Sequence, residues 1–94
     1  MTLKNRIALV TGAGSGIGKE ICRQLAEHGA RVAALDLDLA AAERTAQAVG
    51  GDALALSGNV ADEAQMAAAI ARTVAQFGRL DIAVNAAGVG MSAA

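Results

Sequence analysis

The chain has 94 residues, 54% of them hydrophobic and 18% charged, and its net charge at neutral pH is −1. This length fits one small domain, and the hydrophobic content argues against a disordered chain. The near-neutral charge and the single aromatic residue argue against nucleic-acid binding. The sequence has no long apolar run and no signal-peptide pattern, which predicts a cytoplasmic protein without a membrane span.

The first predicted strand, Arg6 to Thr11, is apolar along most of its length, as expected of a strand covered on both faces. A glycine-rich turn follows, and a helix is predicted from about Gly16 to His28. Apolar residues recur there at every fourth position, namely Ile17, Ile21 and Leu25. Gly29 is placed to end this helix in the left-handed conformation.

The chain has one cysteine and one histidine, and both fall in this first helix. Cys22 lies among apolar residues and is expected to be a buried filler. His28, near the helix C-terminus, is expected to complement the helix dipole. A metal site is therefore not predicted.

The remaining elements continue the alternation of strand and helix. The further predicted strands are Arg31 to Asp36, Ala53 to Leu56 and Leu80 to Val84, and the next helix is Leu39 to Val49. A third helix begins after Asp62, whose spacing from Gln65 resembles a capping box. Its predicted apolar face consists of Met66, Ile70, Val74 and Phe77. Four strands and three helices in this order predict a Rossmann-type α/β fold with a doubly wound parallel sheet ordered 3-2-1-4.

The most informative segment is Thr11-Gly12-Ala13-Gly14-Ser15-Gly16-Ile17-Gly18, which lies between a strand and a helix. The N-terminus of a helix carries unpaired N–H groups, and glycines let a pyrophosphate approach them closely. The spacing is T-G-x-x-x-G-x-G, which matches neither the G-x-G-x-x-G fingerprint nor a Walker loop. Gly18 is expected to let the helix pack tightly on the sheet. Such turns also occur without ligands, so the turn alone leaves both roles open.

Asp36 ends the second predicted strand, near the offset of about 20 residues expected for a carboxylate that binds the ribose 2′-OH. The alternative is a strand-end carboxylate without a ligand. A carboxylate would repel the 2′-phosphate of NADP, and neither Leu37 nor Ser15 offers a cation to offset it. We therefore predict NAD as the cofactor.

From about Arg6 to Gly88, the chain resembles the N-terminal part of a short-chain dehydrogenase/reductase. The resemblance is carried by Thr11-Gly12-x-x-x-Gly16-x-Gly18, Asp36, Asn59-Val60 and Asn85-Ala86-Ala87-Gly88. It implies that residues 1–94 are the N-terminal part of an NAD-binding domain. At Asn59 the family usually has Asp. The amide oxygen could still accept from the adenine amino group, and the alternative is a plain turn residue.

The resemblance also implies a set of cofactor-binding residues. They are Gly12, Ser15, Gly16, Ile17, Gly18, Asp36, Leu37, Asn59, Val60, Asn85, Ala86, Ala87 and Gly88. Gly12, Gly16 and Gly18 would hold the pyrophosphate, Asp36 would select NAD, and Asn59 with Val60 would border the adenine. Residues 85–88 would support the central sheet and line the adenosine-ribose side.

Members of this family continue through an active-site Asn, a Ser and a Tyr-x-x-x-Lys helix, in which Tyr is the general acid/base. This chain has no Tyr, and Ser92 follows Gly88 too closely to match the catalytic serine, so no catalytic residue is predicted. We expect a truncated oxidoreductase whose parent, a homodimer or homotetramer, transfers hydride between NAD(H) and an alcohol or ketone. The alternatives are a non-catalytic nucleotide-binding module and an inert fragment, and the bare apolar strand from Leu80 to Val84 argues against both.

Overall fold

The computed structural model describes residues 2–87, along which strands and helices alternate. The strands are β1 (Ile7–Thr11), β2 (Arg31–Asp36), β3 (Leu54–Ser57) and β4 (Ile82–Asn85). The helices are α1 (Gly16–Glu27), α2 (Leu39–Val49) and α3 (Glu63–Phe77). The predicted Rossmann-type alternation is therefore confirmed, and the strand ends differ from the predicted ones by only a residue or two.

The strands form one parallel sheet in the predicted order, β3-β2-β1-β4. At the end of β1, Thr11 pairs with Leu35 of β2 on one side and with Asn85 of β4 on the other. Every residue of β1 is buried, which explains its apolar sequence. Because the strands are parallel, their carboxyl ends share one edge of the sheet, the edge at which open α/β sheets bind ligands.

Two buried clusters cover the two faces of the sheet. Val10 of β1 packs with Cys22 of α1 in one cluster, and Val49 of α2 packs against the same cluster. Leu9, the neighbour of Val10, packs with Ala69 of α3 in the other cluster. This division follows from the alternation of side chains along a strand, and it places α1 and α2 on one face and α3 on the other.

The α3 surface that faces the core differs from the predicted apolar face. Met66 and Phe77 pack against the Leu9 cluster, but the other two members, Ile70 and Val74, are 41% and 40% exposed. The buried residues of α3 are instead Ala69 and Thr73. The small side chains of Ala69 and Thr73 let α3 lie close to the sheet. The larger apolar residues Ile70 and Val74 therefore lie at the side of the helix, partly exposed.

The cysteine of α1 and the histidine that follows its last residue lie where they were predicted. Cys22 is fully buried, and burial raises the pKa of its thiol to about 11, so the thiol stays protonated at neutral pH. His28 caps the C-terminus of α1, and its Nδ1 lies 2.8 Å from the carbonyl oxygen of Gln24. The next residue, Gly29, has φ +102°, which suits the glycine predicted there.

Asp81 joins the beginnings of β1 and β4. Its Oδ2 accepts a hydrogen bond of 2.9 Å from the backbone N–H of Ile7, and Arg79 and Arg6 pair with its other oxygen. The bond from Ile7, reinforced by these arginines, lowers the pKa of the Asp81 carboxyl. None of the helices within residues 2–87 combines the length and the apolar character needed to cross a membrane.

Candidate functional site

A cleft of about 290 Å³ opens at the carboxyl edge of the sheet. The predicted site residues that line it are Gly12, Ser15, Gly16, Ile17, Asp36, Leu37, Asn59, Val60, Ala86 and Ala87. Leu35 and Gly58 also line the cleft and were not predicted. The remaining predicted residues are Gly18 and Asn85, which do not line the cleft, and Gly88, which lies outside the described residues.

The three glycines of the T-G-x-x-x-G-x-G turn have different surroundings. Gly12 and Gly16 adopt left-handed φ values of +63° and +59°. A Cβ at Gly12 would lie 2.7 Å from the backbone nitrogen of Ala87, whereas one at Gly16 would meet none of the described residues within 4 Å. A Cβ at Gly18 would lie 1.9 Å from the carbonyl oxygen of Gly12. Gly18 therefore lets α1 pack tightly, with the glycine turn as its nearest neighbour where packing on the sheet was predicted.

The N-terminus of α1 has no side-chain cap, unlike the other two helices. Asp38 and Asp62 accept hydrogen bonds from first-turn N–H groups of α2 and α3, respectively. Ser15 at the start of α1 makes no such bond, and the first turn of α1 contains no acidic residue. First-turn N–H groups without a side-chain cap from residues 2–87 and the positive end of the helix dipole therefore meet at the cleft, an arrangement that favours an anion.

Both oxygens of the Asp36 carboxylate are held by backbone N–H groups. Oδ2 accepts from Gly14 at 2.8 Å, and Oδ1 accepts from Asp38 at 3.0 Å. A carboxylate oxygen has two lone pairs, so each can accept a further hydrogen bond from a ligand in the cleft. A Cβ at Gly14 would lie 2.7 Å from Asp36 Oδ2 and 2.6 Å from Cβ of Ala41. Glycine at this position, to which no role was assigned in advance, thus makes room for the carboxylate.

Asn59 lies at the cleft and also forms a turn. Its Oδ1 accepts a hydrogen bond of 2.9 Å from the backbone N–H of Ala61, and its own N–H donates to Gln65 Oε1 at 2.7 Å. An amide oxygen has two lone pairs, so Oδ1 keeps capacity to accept from the adenine amino group, and the Nδ2 amino group is a further donor for a ligand. The capping-box prediction is only partly right, since Gln65 accepts from Asn59 rather than from the backbone of Asp62.

The segment after β4 closes the cleft beside the glycine turn. Thr11 Oγ1 donates to Asn85 Oδ1 at 2.8 Å, which ties the carboxyl ends of β1 and β4 together. Asn85 lies in a separate, smaller cleft near Ile70, whereas Ala86 and Ala87 line the main one. Asn85 therefore holds the sheet together beneath the site, and the two alanines face it.

Comparison with known proteins places this geometry among oxidoreductases. The family model for short chain dehydrogenase matches residues 6–94. The chain is 50% identical over 90 residues to a D-threitol dehydrogenase of Mycolicibacterium smegmatis. It is 43% identical over 88 residues to a cyclohexanol dehydrogenase of an Acinetobacter species. These alignments cover 93% and 90% of this chain but 35% of each relative, so the chain spans about a third of the length of the curated relatives it matches.

The fold is shared with a solved structure that contains a nicotinamide cofactor. A crystal structure of 3-ketoacyl-(acyl-carrier-protein) reductase from Brucella melitensis, complexed with NADH, superposes with a TM-score of 0.84 at 40% identity. The superposition covers 87% of this chain and 34% of the reductase. The similarity therefore extends over most of the described strands and helices.

Proposed function

The chain belongs to the short-chain dehydrogenase family, and from this we propose that its cleft binds the pyrophosphate and adenosine of NAD(H). In this proposal residues 1–94 are the N-terminal part of the NAD-binding domain, and the whole protein transfers hydride between NAD(H) and an alcohol or carbonyl compound. The bound cofactor would supply or take up the hydride. The acid–base group would come from outside this chain, which has no Tyr.

The pyrophosphate is assigned to the N-terminus of α1. Gly16 borders open space among residues 2–87, because none of their atoms lies within 4 Å of the position a Cβ would take. The uncapped first turn supplies N–H donors, and no acidic side chain there opposes a negative ligand. Backbone donors and the helix dipole are sufficient to hold a pyrophosphate without a lysine or an arginine.

The Asp36 carboxylate is the single observation that carries the choice of NAD over NADP. It is fixed by two backbone N–H groups and keeps acceptor capacity toward the cleft, where it would bind the ribose hydroxyls. The phosphate that NADP carries on its 2′-oxygen would meet this negative charge. Among the described residues that line the cleft there is no Lys or Arg to offset the repulsion.

The adenine is assigned to the side of the cleft formed by the residues that follow β2 and β3. Leu37 is 75% exposed and Val60 is 38% exposed, and both line the cleft. A flat base placed against them would remove apolar surface from water. Asn59 Nδ2 would then donate to a ring nitrogen of the base.

The remaining assignments concern the whole protein. A small alcohol or ketone is the proposed substrate class, in keeping with the names of the D-threitol and cyclohexanol dehydrogenases that this chain resembles. We further propose a homodimer or homotetramer in the cytoplasm, as is common for the family. The resemblance to named dehydrogenases favours an enzyme over a non-catalytic nucleotide-binding module.

Calorimetric titration of the full-length gene product with NAD, NADP and ADP-ribose tests the proposal. We expect NAD and ADP-ribose to bind with similar affinities and NADP to bind at least about tenfold more weakly, a difference of about 1.4 kcal/mol. Asp36→Ala should weaken NAD binding and reduce the difference in affinity between NAD and NADP. Asp52→Ala is the matched control, because Asp52 pairs with Arg31 at 3.4 Å and lies outside the cleft lining. Equal affinities for NAD and NADP in the unaltered protein would contradict the proposal.

A further inference from the structure

Thr45, on α2, connects this helix to the middle of the glycine turn. The residue is fully buried, and its hydroxyl donates a hydrogen bond of 2.8 Å to the carbonyl oxygen of Ala13. Ala13 is itself fully buried between the glycines at positions 12 and 14. A buried hydroxyl thus holds a segment that is 32 residues away in the sequence.

The carbonyl that Thr45 binds belongs to the same peptide unit as the N–H that binds Asp36. The C=O of Ala13 accepts from Thr45, and the N–H of Gly14 donates to Asp36 Oδ2 at 2.8 Å. A peptide unit is planar and rigid, so rotation that breaks one of these bonds also misaligns the other. Hydrogen bonds at both ends of one peptide unit also polarise it and strengthen each other.

Helix α2 holds the Asp36 carboxylate in other ways as well. The backbone N–H of Asp38, the N-cap of α2, donates to Asp36 Oδ1 at 3.0 Å. Ala41, in the first turn of α2, closes the space beside Gly14. The N–H of Ala13 donates to the carbonyl oxygen of Leu35 at 3.0 Å, which fixes the preceding peptide unit to β2. The Thr45 hydroxyl adds one more contact, the buried hydrogen bond to the carbonyl oxygen of Ala13.

We propose that Thr45 is a positioning residue for nucleotide selection. Through the Ala13–Gly14 peptide unit it sets the orientation in which Asp36 meets the ribose, although it does not itself touch the cofactor. This inference rests on the proposed function. If Thr45 has this role, the affinity for NAD depends on a buried side chain that does not line the cleft. Thr45 should then affect NAD binding only through Asp36.

Three substitutions separate positioning from a general contribution to stability. Thr45→Val removes the hydroxyl and keeps the branched shape, while Thr45→Ser keeps the hydroxyl. Thr73→Val is the matched control, because Thr73 is also fully buried and its hydroxyl donates at 2.8 Å to a carbonyl oxygen, that of Ala69. That bond lies within α3, on the opposite face of the sheet.

The measurement is calorimetric titration of the full-length gene product and its variants with NAD. Thr45→Val should weaken binding about fivefold, the loss expected for one ordinary hydrogen bond, whereas Thr45→Ser and Thr73→Val should bind like the unaltered protein. In an Asp36→Ala background, Thr45→Val should cause no further loss. If Thr45→Val does not fold, Thr45→Cys replaces it, and its affinity should lie below that of Thr45→Ser because a thiol is a weak donor.

The outcomes distinguish this inference from the proposed function. Suppose the unaltered protein binds NAD through Asp36, but the hydroxyl-deficient Thr45 variant binds equally well. The positioning role is then overturned and the proposed function stands. The role is also overturned if the loss persists undiminished in the Asp36→Ala background, because Thr45 would then act on the cleft without Asp36. If the unaltered protein shows no Asp36-dependent binding of NAD, both fail.

Discussion

Among single residues, the glycines of the turn make separable contributions to folding and to binding. Gly18→Ala would place a Cβ 1.9 Å from the carbonyl oxygen of Gly12, so backbone must move. We expect a loss of about 3 kcal/mol in the free energy of unfolding, the upper end of the usual cost of overpacking. Gly16→Ala would meet none of residues 2–87 with its Cβ, but its φ is +59°, so it should cost about 1 kcal/mol and still fold.

Urea unfolding of the two glycine variants checks whether Gly18→Ala loses more stability than Gly16→Ala. NAD titration of Gly16→Ala adds a second readout, since its methyl group would enter the cleft and should weaken binding. A Gly18→Ala protein as stable as the unaltered one would contradict the close contact between α1 and the turn.

Asn59 offers a test of the turn that borders the proposed adenine site. Asn59→Asp keeps an oxygen that can accept from the N–H of Ala61, while Asn59→Ala removes it. We expect Asn59→Ala to lose about 1 kcal/mol in the free energy of unfolding and Asn59→Asp to lose little, as judged by urea denaturation. Equal losses in the two variants would show that this hydrogen bond does not stabilise the loop.

At the scale of elements, Asp81 links the beginnings of β1 and β4, and its contribution should depend on pH. Its pKa in the folded protein lies below its usual value of 3.8. The folded state therefore gains stability from the ionised carboxylate above that value, and it loses this gain as the pH falls toward the lowered pKa. Asp81→Asn should thus be less stable than the unaltered protein at neutral pH, and the difference should narrow below pH 3.8.

Urea midpoints measured from neutral to acidic pH check the contribution of Asp81. Glu20, whose pKa is lowered to about 2 by its bonds to Arg23 and Gln24, is present in both proteins and cancels in the comparison. A difference that stays constant below pH 3.8 would show that the charge of Asp81 is not what links the strands.

Elements were more predictable from the sequence than the contacts between them. The alternation of apolar strands and periodic helices was sufficient for the order β3-β2-β1-β4. The periodicity of α3 pointed to Ile70 and Val74, yet Ala69 and Thr73 face the core. Periodicity records which side chains are apolar, whereas close packing on a sheet also selects those that are small.

The site shows the same division. Gly12 and Asp36 were predicted from their spacing after strands and Asn59 from the family resemblance, and the parallel sheet brings all three to one cleft. The residues that hold the Asp36 carboxylate in place were not predicted. Gly14 and Thr45 act through hydrogen bonds between residues that are 22 and 32 positions apart in the sequence. A glycine within a glycine-rich turn and a threonine within a helix carry no sequence signal for such contacts.

For the whole molecule, the central claim is that one edge of the sheet binds the adenosine and pyrophosphate of NAD. Two-dimensional NMR of the ¹⁵N-labelled full-length gene product, titrated with ADP-ribose, tests the location directly. We predict that amide shifts change at Gly12, Gly16, Ile17 and Asp36, while Arg31 and Asp52 near the opposite edge stay unchanged. Shift changes confined to other surfaces, or no shift changes in a folded protein with ADP-ribose in large excess, would contradict the account.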